Sequence, residues 1–241
     1  MGEGSGSDAD FAARLEREKL ASLVELAYGA SHEINNPLAN IAARAQSLLP
    51  GESDPERRRM LIAIHRQAMR AHEMIADLML FARPPQLELS NFDLRQLMRD
   101  VVAEHCELAA ERSITLQSEL GDAAIEIEAD ATQLGVAVGA VVTNAIEAVG
   151  RNGRVQVFAR EWAESNVRSA EVAVRDDGPG ISEHVRRHLF DPFFSGREAG
   201  RGLGFGLAKC WRIVTDHGGQ VVVSNLEGGG AEFTILLPQG R

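Results

Sequence analysis

The stretch Ser31-His-Glu-Ile-Asn-Asn-Pro-Leu38 gathers an imidazole, a carboxylate and two amides next to a proline. Leu20, Leu23, Ala27, Ala30, Ile34, Ile41 and Leu48 keep a 3-then-4 spacing with one gap at Pro37, which is the seam of a coiled-coil or bundle helix. Counted from Leu20 as position a, His32 falls at f, opposite that seam. An imidazole there is hydrated, titrates near neutrality and can be reached by a second domain. Glu33 follows at g, and Asn36 lies one turn beyond His32 on the same face. The three polar groups form a small patch, whereas an exposed histidine alone is usually a surface residue. Pro37 removes its own N–H and clashes with the Glu33 carbonyl, loosening or bending the helix beside the patch, which helix stability alone does not require.

Three groups in the second half of the chain could also carry chemistry. Asn144 interrupts an apolar stretch from Leu134 to Val149. A buried amide must either satisfy a backbone group or face a wet cleft, and its carbonyl oxygen is a hard ligand of the type Mg²⁺ accepts. Asp176-Asp177-Gly178-Pro179-Gly180 follows a predicted strand and reads either as a tight turn or as a carboxylate kept clear by glycines for a ligand. Gly200-Arg-Gly-Leu-Gly-Phe-Gly206-Leu207 opens a predicted helix, where free N–H groups and the helix dipole favour phosphate. No strand feeds these glycines as a Rossmann fingerprint requires, and no GxxxxGK[ST] loop is present. His65 and His72, seven apart, lack HExxH spacing and read as surface residues, and His184 and His188 as solvated ones.

The elements that must hold these groups follow from periodicity and punctuation. A first helix over about 10–49 stops at Pro50-Gly51, and Asp54-Pro55-Glu56 is a cap and restart for a second helix ending before Arg83-Pro84-Pro85. Two such amphipathic helices form an antiparallel hairpin that cannot cover both its seams, so dimerisation into a four-helix bundle is expected. Beyond the prolines, the spacing predicts a helix over 91–112, strands over 114–120 and 123–129, and a helix from Asp130 to Gly150. Strands over 154–160 and 171–175, a helix over 205–217, and strands over 220–224 and 231–237 complete an α/β sandwich with a mixed sheet covered by helices. The expected organisation is therefore α+β multidomain: a leader at 1–9, flexible or derived from cloning, a helical hairpin at 10–83, a linker at 84–90 and a second domain at 91–241.

SHEINNPL resembles the phosphoacceptor box of sensor histidine kinases, in the version seen in kinases related to the nitrogen-regulatory sensors. Val141-Val-Thr-Asn-Ala-Ile-Glu-Ala148 is similar to their N box, Asp176-Asp-Gly-Pro-Gly180 to the G1 box, Phe190-Asp-Pro-Phe-Phe194 to the F box and the Gly200–Leu207 run to the G2 box. The resemblance spans most of Leu20 to Pro238. It implies a dimerisation and phosphotransfer hairpin joined to an ATP-binding domain of the gyrase, chaperone and histidine-kinase type. It further implies that His32 is autophosphorylated from Mg·ATP and passes phosphoryl to an aspartate of a response-regulator receiver domain. Glu33 would orient the ring and Asn36 the water for dephosphorylating that regulator. Asn144 would hold Mg²⁺ and Asp176 the adenine amino group. Gly178, Gly180, Gly202, Gly204, Gly206 and Leu207 would line the nucleotide, with the lid between Ile181 and Gly202 and Arg197 supplying positive charge. The chain departs from the family at Ala140, often an Asn, and at Glu147, often basic. A non-catalytic dimeric scaffold and an ATP-hydrolysing clamp are the alternatives.

Composition sets the outer limits. The 241 residues are 44% hydrophobic and 25% charged, with a net charge of −10 that argues against general nucleic-acid binding. Cys106 and Cys210 have no partner suggested by spacing, so a reducing, cytoplasmic compartment is expected, whether the full-length parent is membrane-attached or soluble. No signal peptide or membrane span is read in this sequence.

Overall fold

The computed structural model describes residues 33–82, 84–164, 167–192, 194 and 204–238. His32, Arg197 and Gly202 lie outside the described residues. The chain divides into two compact units, Met1–Pro85 and Gln86–Arg241.

The first unit is built on a helical hairpin. Helix α1 covers residues 33–48 and stays helical through Pro37, a 3-10 turn follows at Leu49–Gly51, and α2 runs Pro55–Ala82. The restart at Asp54 has the predicted chemistry: its Oδ1 accepts from Glu56 N at 2.7 Å and Arg57 N at 3.2 Å, donors that a helix end leaves orphaned. Pro55, with no N–H to satisfy, fits the first helical position.

The buried positions of this hairpin are small: Ala42, Ala45 and Ala68. The heptad seam faces elsewhere. Ile34 is 45% exposed, Ile41 45% and Leu48 60%, and Met60 and Ile64 of α2 are exposed with them. Leu48, Met60 and Ile64 also line an apolar cleft of about 510 Å³ at the turn end. One helical hairpin thus carries two faces, an alanine-lined one closed by its own second helix and an aliphatic one left open. The surface reading of His65 and His72 is corrected here, because both are partly buried, and His65 Nδ1–H donates to the Ala42 carbonyl at 3.2 Å.

The second unit opens with β1, Ser90–Asp93, where a continuous helix from Asn91 was expected. Pairing decides this, since β1 lies antiparallel to β3, Glu126–Ala129, with Phe92 opposite Ile127. Asp93 then caps α3, Leu94–Glu111, accepting from Arg95 N at 3.1 Å and from Ile125 N at 3.1 Å. Strand β2 is Thr115–Glu119, α4 Ala131–Val149, β4 Arg154–Glu164 and β5 Val167–Asp176. A short α5, Glu183–His188, precedes α6, Gly206–Asp216, and the strands β6, Gln220–Asn225, and β7, Ala231–Pro238, end the described chain.

Strands β2-β4-β5-β7-β6 form one sheet, parallel only between β2 and β4. Its inner face is read directly from the period of two: Val155 and Val157 on β4, Ala170, Val172 and Val174 on β5, and Phe233, Ile235 and Leu237 on β7 are buried. Helices α3, α4 and α6 cover that face. Helix α4 is long and apolar enough to cross a membrane by length and composition, yet half of it is buried against its neighbours, as for a core helix. The opposite face of the sheet carries ion pairs, Arg160 with Glu171 at 2.7 Å and Arg175 with Glu232, and the Arg175 guanidinium lies 4.6 Å from the Phe158 ring centroid.

Candidate functional site

Asp176 occupies the next inward position after Ala170, Val172 and Val174, so the strand's own alternation drives a carboxylate into the space that an apolar side chain would take. It is 4% exposed. Its Oδ1 accepts from Gly178 N at 2.9 Å and Ala231 N at 3.4 Å. Burial raises its pKa above the ordinary carboxylate range, with these two N–H donors opposing and the neighbouring Asp177 adding to the rise. A buried carboxylate with its donors gathered on one oxygen can accept a further hydrogen bond on the other.

The surroundings of Asp176 explain the glycines. A Cβ on Gly178 would lie 2.8 Å from Asp176 Oδ1 and 3.2 Å from the Ala148 carbonyl carbon, so only glycine keeps the carboxylate clear at the C-terminal end of α4. Gly230, at φ +93°, approaches the Asp176 carbonyl so closely that no side chain fits between them. Beyond Gly180, Asn225 grips the loop from both sides: its Oδ1 accepts from Ile181 N at 2.8 Å and its Nδ2 donates to Ile181 O at 2.9 Å. Asp177 points the other way and accepts from Arg154 N at 2.8 Å, which ties the loop to the start of β4. Asn225, Asp177 and Gly230 were not singled out in the sequence. Only the triple glycine carries a local signal, and it reads equally well as a hairpin turn.

Asn144 lies partly exposed on α4, one turn beyond Ala140. A Cβ on Gly206 would be 3.9 Å from the Ala140 Cβ, so the first turn of α6 abuts α4 beside Asn144. The absence of a larger residue at 140 therefore has a structural counterpart, the close approach of the glycine-rich helix start. Phe205, at the N-cap of α6, supplies no side-chain cap, and it is buried while Leu207 is partly so. Gly204, at φ +71°, passes so near the Phe194 backbone that any Cβ would overlap it. On the far side of α4, His105 Nδ1–H donates to Val101 O at 2.7 Å, which leaves Nε2 to accept from Thr143 Oγ1 at 3.1 Å.

Asp176, Gly178 and Gly180 thus sit at the end of β5 next to the C-terminal half of α4, and Asn144, Gly204, Gly206 and Leu207 at the junction of α4 and α6. Among the described residues, no three His, Cys, Asp or Glu side chains converge as a metal cage. One partly exposed amide oxygen, that of Asn144, suits Mg²⁺, which keeps waters and takes phosphate oxygens for the rest of its shell. His184 is exposed and the His188 side chain is 45% exposed, in keeping with the solvated reading. Their rings meet at 5.6 Å, His188 packs on Phe194 at 5.3 Å, and His188 Nδ1 lies 2.7 Å from Asp191 Oδ2. In the first unit, Glu33 and Asn36 are both exposed on α1.

Residues 22–86 match the family model described as the His Kinase A (phospho-acceptor) domain, and residues 129–241 the one described as the histidine kinase-, DNA gyrase B- and HSP90-like ATPase. The sensor histidine kinase ZraS of Klebsiella oxytoca is 33% identical over 227 residues, which is 94% of this chain and 48% of that protein. The signal transduction histidine-protein kinase AtoS of Escherichia coli (strain K12) is 30% identical over 223 residues, 92% of this chain and 36% of that one. The chain spans about half or less of the length of these relatives. Among solved structures, full-length ShkA in complex with AMPPNP superposes with a TM-score of 0.77 at 26% identity, covering 90% of this chain and 46% of that one. ThkA in complex with the response regulator protein TrrA gives 0.68 at 26% identity, covering 99% and 68%. With a phosphoacceptor domain match followed by a match to this ATPase domain, and sensor histidine kinases among its relatives, the chain belongs to the two-component sensor histidine kinases.

Proposed function

We propose that this chain is an ATP-dependent protein-histidine kinase that phosphorylates its own His32 and passes the phosphoryl group to an aspartate on a response-regulator receiver domain. The observation that carries the reading is the buried Asp176 carboxylate. Its Oδ1 is engaged by Gly178 N and Ala231 N, and its other oxygen is of the right type and depth to accept from an adenine amino group. ShkA was solved with AMPPNP and ThkA with a response regulator, and we carry both ligand classes to this chain.

The chemistry asks little covalent help of the protein. A ring nitrogen of His32 attacks the γ-phosphorus, the bond to the ADP oxygen breaks and ADP leaves, so positioning and charge neutralisation dominate. Glu33 holds the far ring nitrogen and fixes the tautomer. The bound metal would supply charge neutralisation at the phosphates, with Asn144 as its protein ligand. The N-terminus of α6 and Gly202, Gly204 and Gly206 give the phosphates backbone N–H donors, Arg197 adds positive charge, and Asn36 orients water in the separate hydrolysis of the regulator's aspartyl phosphate, which releases inorganic phosphate. The open aliphatic face of Ile34, Ile41 and Leu48 supports a homodimeric four-helix bundle. We assign residues 10–83 to phosphotransfer and dimerisation, 84–90 to a linker and 91–241 to nucleotide binding, in a cytoplasmic setting. The likeness of SHEINNPL to the nitrogen-regulatory sensors supports that subtype.

Incubation with γ-labelled ATP separates the classes. Label retained on protein in an acid-labile, base-stable form is expected. Label released only as free phosphate fits a clamp ATPase and contradicts the kinase, and no consumption of ATP fits a scaffold.

A further inference from the structure

Two contacts across the hairpin define its register. Arg58 Nη1 donates to Leu49 O at 3.0 Å, and seven residues along each helix His65 Nδ1 donates to Ala42 O at 3.2 Å. A further step of seven on each helix brings Asn35 level with His72. At that level the regularity breaks: Asn35 Oδ1 and His72 Nδ1 are both buried, and neither has a hydrogen-bond partner among the described residues. A carbonyl oxygen and a ring nitrogen that can carry a proton thus share one dry layer of the hairpin with complementary chemistry. Buried polar groups are nearly always paired, so two orphans in one layer mark a contact that the fold can make.

We propose that Asn35 and His72 form an interhelical hydrogen bond, imidazole Nδ1–H to amide Oδ1, that positions the start of α1, which His32 directly precedes in sequence, for phosphoryl acceptance. This rests on the reading of His32 as the acceptor. Asn35 lies three residues beyond His32 and immediately before Asn36 and Pro37. A small axial turn of α1 that seats Asn35 on His72 re-aims Asn36 with it, at the end of the helix that His32 directly precedes in sequence. Among the described residues, the fully buried ones of the hairpin are Ala42, Ala45 and Ala68, which raise only a low side-chain ridge. Pro37 removes one backbone hydrogen bond in the same turn. His72 is therefore a positioning residue that acts through Asn35, in a series with Arg58 and His65 that ties α2 to α1 at each heptad.

The test uses the whole chain with ¹⁵N-labelled histidine and the variants Asn35→Leu, His72→Leu, Asn35→Leu/His72→Leu and His72→Gln. In the unsubstituted protein the His72 ring should be a neutral Nδ1–H tautomer with a protected proton, and Asn35→Leu should abolish that signature. A His72 ring whose Nδ1 carries no protected proton in the unsubstituted protein overturns the contact, whatever the kinase assay gives. Autophosphorylation should fall about fivefold in each single leucine variant at unchanged KM for ATP, the factor that one net hydrogen bond is worth. The double variant should be no slower than either single, and His72→Gln, which keeps a donor, should recover most of the rate. Additive losses, or unchanged rates in both singles, overturn the positioning role. Failure of the His32 reading shows itself differently, as label absent from His32 in the unsubstituted protein while the His72 signature persists.

Discussion

Asp176 illustrates how a single side chain can be costly to the fold and useful to the site. Its pKa is raised by burial, so its ionised form is disfavoured in the native state. The sign follows: a carboxylate with a raised folded pKa favours folding more as the pH drops, and disfavours it at neutral pH. Asp176→Asn should therefore melt at the same or a higher temperature at pH 7. The amide oxygen would take over the Gly178 and Ala231 donors, leaving an NH₂ group to face the adenine amino group. We expect ATP affinity to fall about 10- to 100-fold, the range for an unmatched buried polar contact. Calorimetric titration and thermal unfolding on one sample check both halves, and an unchanged affinity removes Asp176 from the site. For the parent protein, nucleotide binding should weaken as the pH falls into the raised carboxylate range, because a proton on the outer oxygen replaces an acceptor with a donor. Gly204→Ala should also weaken nucleotide binding while sparing the hairpin, since its Cβ would overlap the Phe194 backbone at a positive φ.

At the scale of elements, the caps decide where helices begin. Asp93 is held at a pKa of about 2, chiefly by its hydrogen bond to Arg95, with the Ile125 and Arg95 backbone donors assisting against desolvation. A lowered carboxylate pKa stabilises the fold above the unfolded value near 4, and that stabilisation is lost as the pH falls towards 2. Asp93→Asn should flatten the acid limb of the unfolding curve in this window, as followed by circular dichroism. An acid limb that does not change would place the acid sensitivity elsewhere. Much of this scale was legible in the sequence. Asp54-Pro55, Asp130 and the alternation of β5 and β7 are local signals, read from neighbours in the chain. Strand β1 was not, because Asn91–Asp93 run without a break into the helical spacing of Leu94, Leu97 and Val101, and only pairing with residues some 35 positions away makes Ser90–Asp93 extended. The buried row of the hairpin was hidden for a related reason. It consists of alanines with His65 and His72, whereas periodicity is dominated by the larger Ile34, Ile41 and Leu48, which belong to the other face.

For the whole molecule, that open aliphatic face is the most direct statement about assembly. Ile41→Asp places a charge in the middle of it and should shift the protein from dimer to monomer in analytical ultracentrifugation, with the second unit still binding nucleotide. A dimer that survives the change would move the interface away from this stripe. The boxes of the nucleotide site were legible as motifs, but the sequence did not show why they cohere. Gly206 lies against Ala140, Gly230 against Asp176, and Asn225 holds Ile181, all contacts between residues distant in the chain. The central claim joins both units: a histidine on the hairpin receives phosphate from a nucleotide held by the sandwich. The measurement that tests it most directly is transfer of label from γ-labelled ATP to the His32→Gln variant, beside the parent protein. Label on the parent and none on the variant, with equal nucleotide affinity, is the predicted result. Equal acid-labile label on both would contradict it.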